Sequence, residues 1–257
     1  MARARHSPRA AAALGSVPRA RRRVVAICNL FANTLPQAAM RSLFDVAPER
    51  DRLGNQAPLR AIFPRGDAPV VRAGQGGRRE LVPMHWGFVL PQTSKRTGQP
   101  IQPKAVNNAR DDKLLASSFW RESFTARRCL LPGTSFAEAQ GQSPAVHHWF
   151  GVLDEDGRSR APFAFAAIWR HWRGLYKDEP RELDTVSMVT TTPNALVRPV
   201  HPDRMPAILA REDWAAWLAA PPEEALRLVR PYPAERMAVI GRGVGVKTEP
   251  EAARAED

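Results

Sequence analysis

Arg128-Cys129-Leu130-Leu131-Pro132-Gly133-Thr134-Ser135-Phe136-Ala137-Glu138 is the stretch that decides the fold. An apolar run of strand length stops at Pro-Gly, the commonest punctuation of a turn. A second short run follows at once. In an extended backbone alternate residues share a face, so Phe136 and Glu138 point the same way. A strand, a turn and a second strand would carry Glu138 inward on that face.

The same rhythm continues on both sides. Downstream, short strands are expected near His147–Leu153 and Phe163–Trp169. Another is expected at Asp184–Thr190, where Val186 and Met188 fall on one face, then at Met205–Leu209 and Met237–Ile240. Asn194–Val197 reads as one helical turn. Upstream, Cys28–Ala32 reads as a strand. Thr34-Leu35-Pro36-Gln37 has the form of a capping box, and Ala39, Met40, Leu43 and Phe44 mark one face of the helix behind it. Residues 48–58 read as a polar loop. Strands follow around Arg60–Phe63, Pro69–Arg72 and Glu80–Met84. Residues 91–105 show no period, and a long binding loop is expected there. Helices are expected at Ser118–Ala126, Arg211–Ala219 and Pro222–Val229. Many short strands with few helices make an α+β fold, mainly an antiparallel, barrel-like twisted sheet with flanking helices. No Gly-rich nucleotide motif and no internal repeat is present.

Composition narrows the class. Hydrophobic residues are 44% of the 257 and charged residues 25%, ordinary for a globular protein. No apolar run approaches the roughly 18 residues of a membrane helix. The two cysteines, Cys28 and Cys129, allow at most one bridge and form no CxxC, so neither a disulfide framework nor a structural zinc site is expected, and a reducing cytoplasm is the default. Of the 38 basic residues, seven arginines fall within residues 1–27, which hold no acid. That leader is expected to be disordered and absent from the working protein, with a domain over 28–246 and a frayed tail over 247–257. The body stays mildly basic, which suits a phosphate-bearing partner without demanding one.

Four polar positions stand out, each with a plainer reading beside it. Cys28 is a candidate nucleophile, or a small buried hydrophobe. Asn108 and Arg110, two apart, can orient a nucleophile and hold a phosphate, or form an ordinary turn. Glu138, if turned inward among apolar groups, has a raised pKa and can pass protons near neutrality; otherwise it is a surface glutamate. His201, fixed between Pro199 and Pro202, is a candidate acid or hydrogen-bond donor, or a loop histidine. Trp86, with Met84 nearby, can offer a platform for bases, or pack in a core. Cys129 reads as core.

Together these segments resemble the SOS-response-associated peptidase (SRAP) family, whose members shield abasic sites in single-stranded DNA. The resemblance runs from about Cys28 to Ile240. It rests on Cys28-Asn29-Leu30-Phe31, Met84-His85-Trp86-Gly87, Asn108-Ala109-Arg110, Arg128 through Glu138, Phe163-Ala164-Phe165-Ala166 with Trp169, and His201 through Met205-Pro206. The opening is similar to the branch beginning Met-Cys-Asn-Leu. It departs from the family at Ala139, at Asp111-Asp112 and at His85.

The resemblance implies Cys28 as the crosslinking nucleophile, Asn108 as its positioning residue, Glu138 as proton shuttle and His201 as partner at the sugar. Arg110, Trp86, Met84 and Arg204 would contact DNA. It implies a thiazolidine crosslink between an N-terminal cysteine and the abasic aldehyde, self-cleavage that exposes that cysteine, and a lyase activity. No cofactor, metal or membrane is implied. A cytoplasmic, nucleoid-associated monomer acting on abasic single-stranded DNA is expected. Two alternatives stay open: a cysteine hydrolase using Cys28, His201 and Asn108, and a non-catalytic single-strand-binding module.

Overall fold

A computed structural model describes residues 28–176 and 179–251; the expected leader lies outside them. The first strand, β1 (Phe31–Asn33), leads to α1 (Gln37–Phe44), β2 (Leu59–Ile62), β3 (Asp67–Ala73), β4 (Arg79–Trp86), β5 (Phe88–Thr93), β6 (Pro100–Val106) and β7 (Asn108–Arg110). Helix α2 (Ser118–Ala126) precedes β8 (Arg128–Gly133), β9 (Ser135–Gln140), β10 (Val146–Leu153), β11 (Arg160–Ala161), β12 (Phe163–Tyr176) and β13 (Glu179–Thr191). The chain finishes through β14 (Met205–Pro206), β15 (Ile208–Leu209), α3 (Trp214–Ala219), α4 (Pro222–Arg227) and β16 (Met237–Val244).

Five strands close on themselves. β3 pairs with β4 and β8, β8 with β12, β12 with β13, and β13 with β4. The seam between β13 and β4 is parallel and short, Thr185 opposite His85 and Val186 opposite Trp86, while the other four pairings are antiparallel. A second sheet runs β11-β10-β9-β1-β2, with β16 on the other edge of β10. The expected turn at Pro132-Gly133 does not form, because both residues pair with β12 as the end of β8; the chain passes from one sheet to the other at the bend of Thr134. The expected single α+β domain with a barrel-like sheet is therefore what forms.

Period-two alternation explains why the barrel has two cores. Val71, Leu81, Leu130, Ala166 and Ile168 face outward, where Met40 and Phe44 of α1, Trp120 and Phe124 of α2 and Trp214 and Trp217 cover them. Their strand neighbours Val70, Val82, Leu131, Phe165 and Ala167 face the other way and pack with Cys28, Phe31, Phe136 and Phe150 of the second sheet. Arg128 is buried and donates to carbonyls of Phe124, Trp217 and Ala220, which ties α2 and α3 to the barrel.

Some expectations are overturned. Residues 91–105 are an arm, not a loop: β5 and β6 pair in a two-stranded hairpin. The arm departs at Gly87, whose φ of 123° admits no side chain and whose missing Cβ would sit 2.7 Å from Ala105. The capping box does not form. Pro36 occupies the N-cap of α1 without a side-chain bond, and Thr34 donates through both its N–H and its hydroxyl to Thr134 Oγ1 instead. By contrast, Ser117 caps α2 by accepting from Phe119 N–H. The tail is held as far as Glu251. Glu249 is 2% exposed, pairs with Arg160 at 3.1 Å and accepts from Thr134 Oγ1. Those two partners draw a carboxylate inward where a polar tail alone would fray. Among the described residues no helix is long and apolar enough to cross a membrane.

Candidate functional site

Cys28 precedes β1, which lies beside β9 with Phe31 opposite Phe136 and Ala32 opposite Ser135. Ala137 N–H donates to Leu30 O at 2.9 Å, so the next residue of β9, Glu138, arrives opposite Cys28. Glu138 does share the inward face with Phe136, and both are buried. Its carboxyl accepts the backbone N–H of Cys28 at 3.2 Å on Oε1 and 3.3 Å on Oε2. Burial pushes this carboxyl up to about 8, with the Cys28 N–H bond pulling the other way. It can therefore hold or release a proton near neutrality, immediately beside the nitrogen and thiol of Cys28. The thiol itself is pushed well up, first by burial and then by the Glu138 charge.

The other side of Cys28 is gripped as well. β7 runs parallel to β13, with Asn108 opposite Met188. That register brings Asn108 Nδ2 to 3.2 Å from the Cys28 carbonyl, which accepts the bond. Asn107 Nδ2 donates to the same carbonyl at 3.3 Å and to Asn29 Oδ1 at 2.9 Å. Asn107 was missed as a site residue. The Asn-Asn doublet was the available signal, but adjacent residues of a strand face opposite ways. Asn107 escapes that rule because it stands just outside β7. Cys28 is thus held at its nitrogen, its carbonyl and its side chain, with a φ of 23° that a non-glycine residue adopts only under constraint.

His201 is 2% exposed and lies in the turn after Val197, whose carbonyl accepts the His201 N–H at 2.9 Å. Its Nδ1 accepts the backbone N–H of Arg204 at 3.1 Å. Burial lowers its pKa, so the neutral ring carries its proton on Nε2. Nε2 is buried and has no partner among the described residues. His201 makes no hydrogen bond to Cys28 or Glu138 there. It reaches their neighbourhood through Val197 and Val200, which pack in the cluster that contains Cys28, and through Gln140, two residues beyond Glu138, which donates to Pro199 O at 3.0 Å.

The residues expected to touch DNA divide sharply. Arg110 is exposed and chelated by Asp112 at 2.9 and 3.2 Å. Trp86 is fully buried, edge-on to Phe31 at 4.8 Å, and its indole N–H donates to Asn107 O. Met84 is 1% exposed beside it in the same cluster. Neither can be a stacking platform from inside the core. The alternation of β4 decides this, because Val82, Met84 and Trp86 share its inward face. Arg204 is 5% exposed and paired with Asp111. Cys129 is core, its thiol raised by burial in β8. Among the described residues no three His, Cys, Asp or Glu side chains gather as metal ligands.

Known proteins share both sequence and fold with this chain. Abasic site processing protein YoqW of Bacillus subtilis is 30% identical over 165 residues, 63% of this chain and 69% of the relative. Abasic site processing protein HMCES of Gallus gallus is 27% identical over 209 residues, 72% of this chain and 61% of the relative. A crystal structure from Bordetella bronchiseptica superposes with a TM-score of 0.63 at 23% identity, covering 84% of this chain and 99% of the other, which establishes the shared fold. The model of SOS response associated peptidase (SRAP) matches residues 27–245, from the residue before Cys28 to the end of the second sheet, and this chain belongs to that family.

Proposed function

We propose that this protein processes abasic sites in single-stranded DNA by forming a covalent bond through Cys28. The observation that carries the reading is the Glu138 carboxyl, buried and titrating near neutrality, placed on the nitrogen of Cys28. The relatives named abasic site processing proteins supply the substrate.

An abasic site carries an aldehyde in equilibrium with the closed sugar. A free Cys28 α-amine titrates at about 7.7–8.0 and so is partly unprotonated at neutral pH. It adds to the aldehyde carbon, and water leaves to give an imine. The thiol then adds across the C=N bond, sulfur to carbon and proton to nitrogen, closing a thiazolidine. Glu138 accepts the ammonium proton and returns it to the departing oxygen. His201 Nε2–H is free to donate to a sugar oxygen. The two asparagines hold Cys28 so that both of its reacting groups stay in place.

While Cys28 nitrogen is an amide this reaction cannot start. Residues 1–27 are absent from the active protein in this reading: either translation starts at position 27 on a codon read as methionine, whose residue is then removed, or the leader is cleaved, with Glu138 beside the Cys28 nitrogen to move the proton. A papain-like hydrolase fits less well. Such a set needs one ring nitrogen of the histidine on the thiol and the other on the asparagine, whereas His201 Nδ1 accepts from Arg204 N–H, its Nε2 meets no partner among the described residues, and Asn108 donates to Cys28 O instead.

Protein beginning at Cys28 is mixed with an abasic single-stranded oligonucleotide and run on a denaturing gel. A shifted band that disappears in Cys28→Ala is expected. Reversible binding alone, or a crosslink by protein whose intact mass still includes residues 1–27, sinks the reading.

A further inference from the structure

Glu138 has a neighbour on each side of β9. Cys28 lies on the β1 side, its N–H on the carboxyl. On the other side the register of β9 with β10 sets His148 directly opposite Glu138, with Phe150 opposite Phe136 and Val146 opposite Gln140. Cross-strand partners share a face, with Cβ atoms about 4.5–5.5 Å apart. The buried rings of Phe136 and Phe150 stack at 5.2 Å between centroids, so that face is the inner one. His148 therefore stands against Glu138 on the inner face. Its Nε2 is buried and has no hydrogen-bond partner among the described residues. Beyond it, β16 sets Arg242 opposite His148. The row Cys28, Glu138, His148, Arg242 runs from a fully buried residue to an exposed one.

We infer that His148 is a further residue of this site, the partner with which Glu138 shares one proton. This deepens the function proposed above and rests on it. In one form of the pair the carboxyl holds the proton and the imidazole is neutral. In the other the proton has passed from the carboxyl oxygen to Nε2, Nδ1 keeps its own hydrogen, and a carboxylate faces an imidazolium. No other bond changes. The second form offers Cys28 a proton acceptor without any proton leaving the protein. A turn of the ring, or one bridging water, spans the gap between the two side chains.

The surroundings suit such a pair. Glu138 faces His148 from β9 and Arg242 faces it from β16, while His147, its strand neighbour, points to the opposite face. Burial and then Arg242 hold the imidazole below its ordinary value, and burial holds the carboxyl up at about 8. Each group alone resists ionising, and as opposite charges side by side each favours the ionised form of the other. A histidine that only fills space gains nothing by turning an unpartnered nitrogen inward, because a buried polar atom without a hydrogen bond is costly.

Titration of the full chain decides between a pair and a packing histidine. Carbon NMR of the Glu138 carboxyl and nitrogen NMR of the His148 ring are followed from pH 5 to 9. Both signals are expected to move in the same two steps, and His148→Gln is expected to leave Glu138 with one. A single step for each group, with the Glu138 curve unchanged in His148→Gln, overturns the pair.

The reaction gives a second test in Cys28-first protein. His148→Gln is expected to lower the crosslinking rate at pH 7 on the order of tenfold. At pH 9 the rate is expected to be nearly unchanged, because an α-amine titrating at about 7.7–8.0 no longer needs an acceptor there. Imidazole added to His148→Ala is expected to restore part of the loss at pH 7. An equal loss at both pH values, without rescue, is the mark of packing and overturns the pair. A thermal melt of each variant separates misplacement from unfolding. A missing crosslink in the unsubstituted protein overturns the function proposed above, and the titration still decides the pair.

Discussion

The two cysteines of this protein are equally hidden and otherwise opposite. Cys129 sits mid-strand in β8, fully buried among the apolar side chains of the barrel. Cys28 is also fully buried, yet a carboxyl holds its nitrogen and two amides hold its carbonyl. Burial raises both thiols. A perturbed thiol therefore says little about chemistry here. What distinguishes the reactive candidate is the treatment of its backbone, since a nitrogen held by a proton-active carboxyl has no use in a residue that merely packs.

The contrast can be broken most directly by exchange. Cys28→Ala is expected to abolish crosslinking to abasic DNA, while Cys129→Ala retains it at a cost of about 1 kcal/mol in denaturant-measured stability. Loss of the crosslink in both would erase the distinction. Next in size, Glu138→Gln keeps the shape of the carboxyl without its proton. The crosslinking rate at pH 7 is expected to fall about 10²- to 10⁴-fold.

Glu138 also makes a prediction about stability. Its carboxyl keeps a proton in the folded state up to about pH 8, whereas its unperturbed value is 4.5. Between these values the folded protein binds more protons than the unfolded chain, so stability falls as pH rises through that window. The loss is on the order of a few kcal/mol for so buried a group. Urea melts of the leader-containing chain from pH 5 to 9 should show the decline, and Glu138→Gln should flatten it. In Cys28-first protein an ammonium faces the same carboxyl and lowers its pKa, so the decline should be weaker there. Equal slopes in the two forms would mean that the amine does not reach Glu138. Smallest of all, Asn107→Ala and Asn108→Ala each remove one donor to Cys28 O, about 1 kcal/mol or roughly fivefold in rate. A much larger loss for either would show that it does more than hold the carbonyl.

Much of this site was legible before any coordinates. Alternation along Ser135–Glu138 places Glu138 inward beside Phe136, and two prolines mark His201 as fixed. Alternation along β4 also placed Trp86, but its position beside a glycine and ahead of a presumed loop suggested solvent. Only the closure of the barrel shows that its face is the interior one. Asn107 could not be read because its role depends on where β7 begins. The arm over residues 91–105 was hidden by its prolines and glycine, which read as loop while β5 and β6 pair across them. The pairing of Arg204 with Asp111 was not legible, because the two are distant in sequence. The tail looked frayed because polar composition says nothing about Arg160 and Thr134 waiting for Glu249.

That last contact constrains how the protein can be handled. With Glu249 between Arg160 and Thr134, and Arg60 donating to the Glu249 carbonyl at 2.6 Å, one buried residue pins an otherwise exposed final segment to the domain. Trimming the chain at Val246 would take these acceptors from Arg60 and Arg160, while Thr134 keeps the Ala32 carbonyl, whereas Glu251 has an exposed side chain. A purification tag or fluorophore at the front would block the amine on which the proposed chemistry depends. The tether for any immobilised or single-molecule assay belongs after Glu251, where it can trail from the surface without disturbing either end.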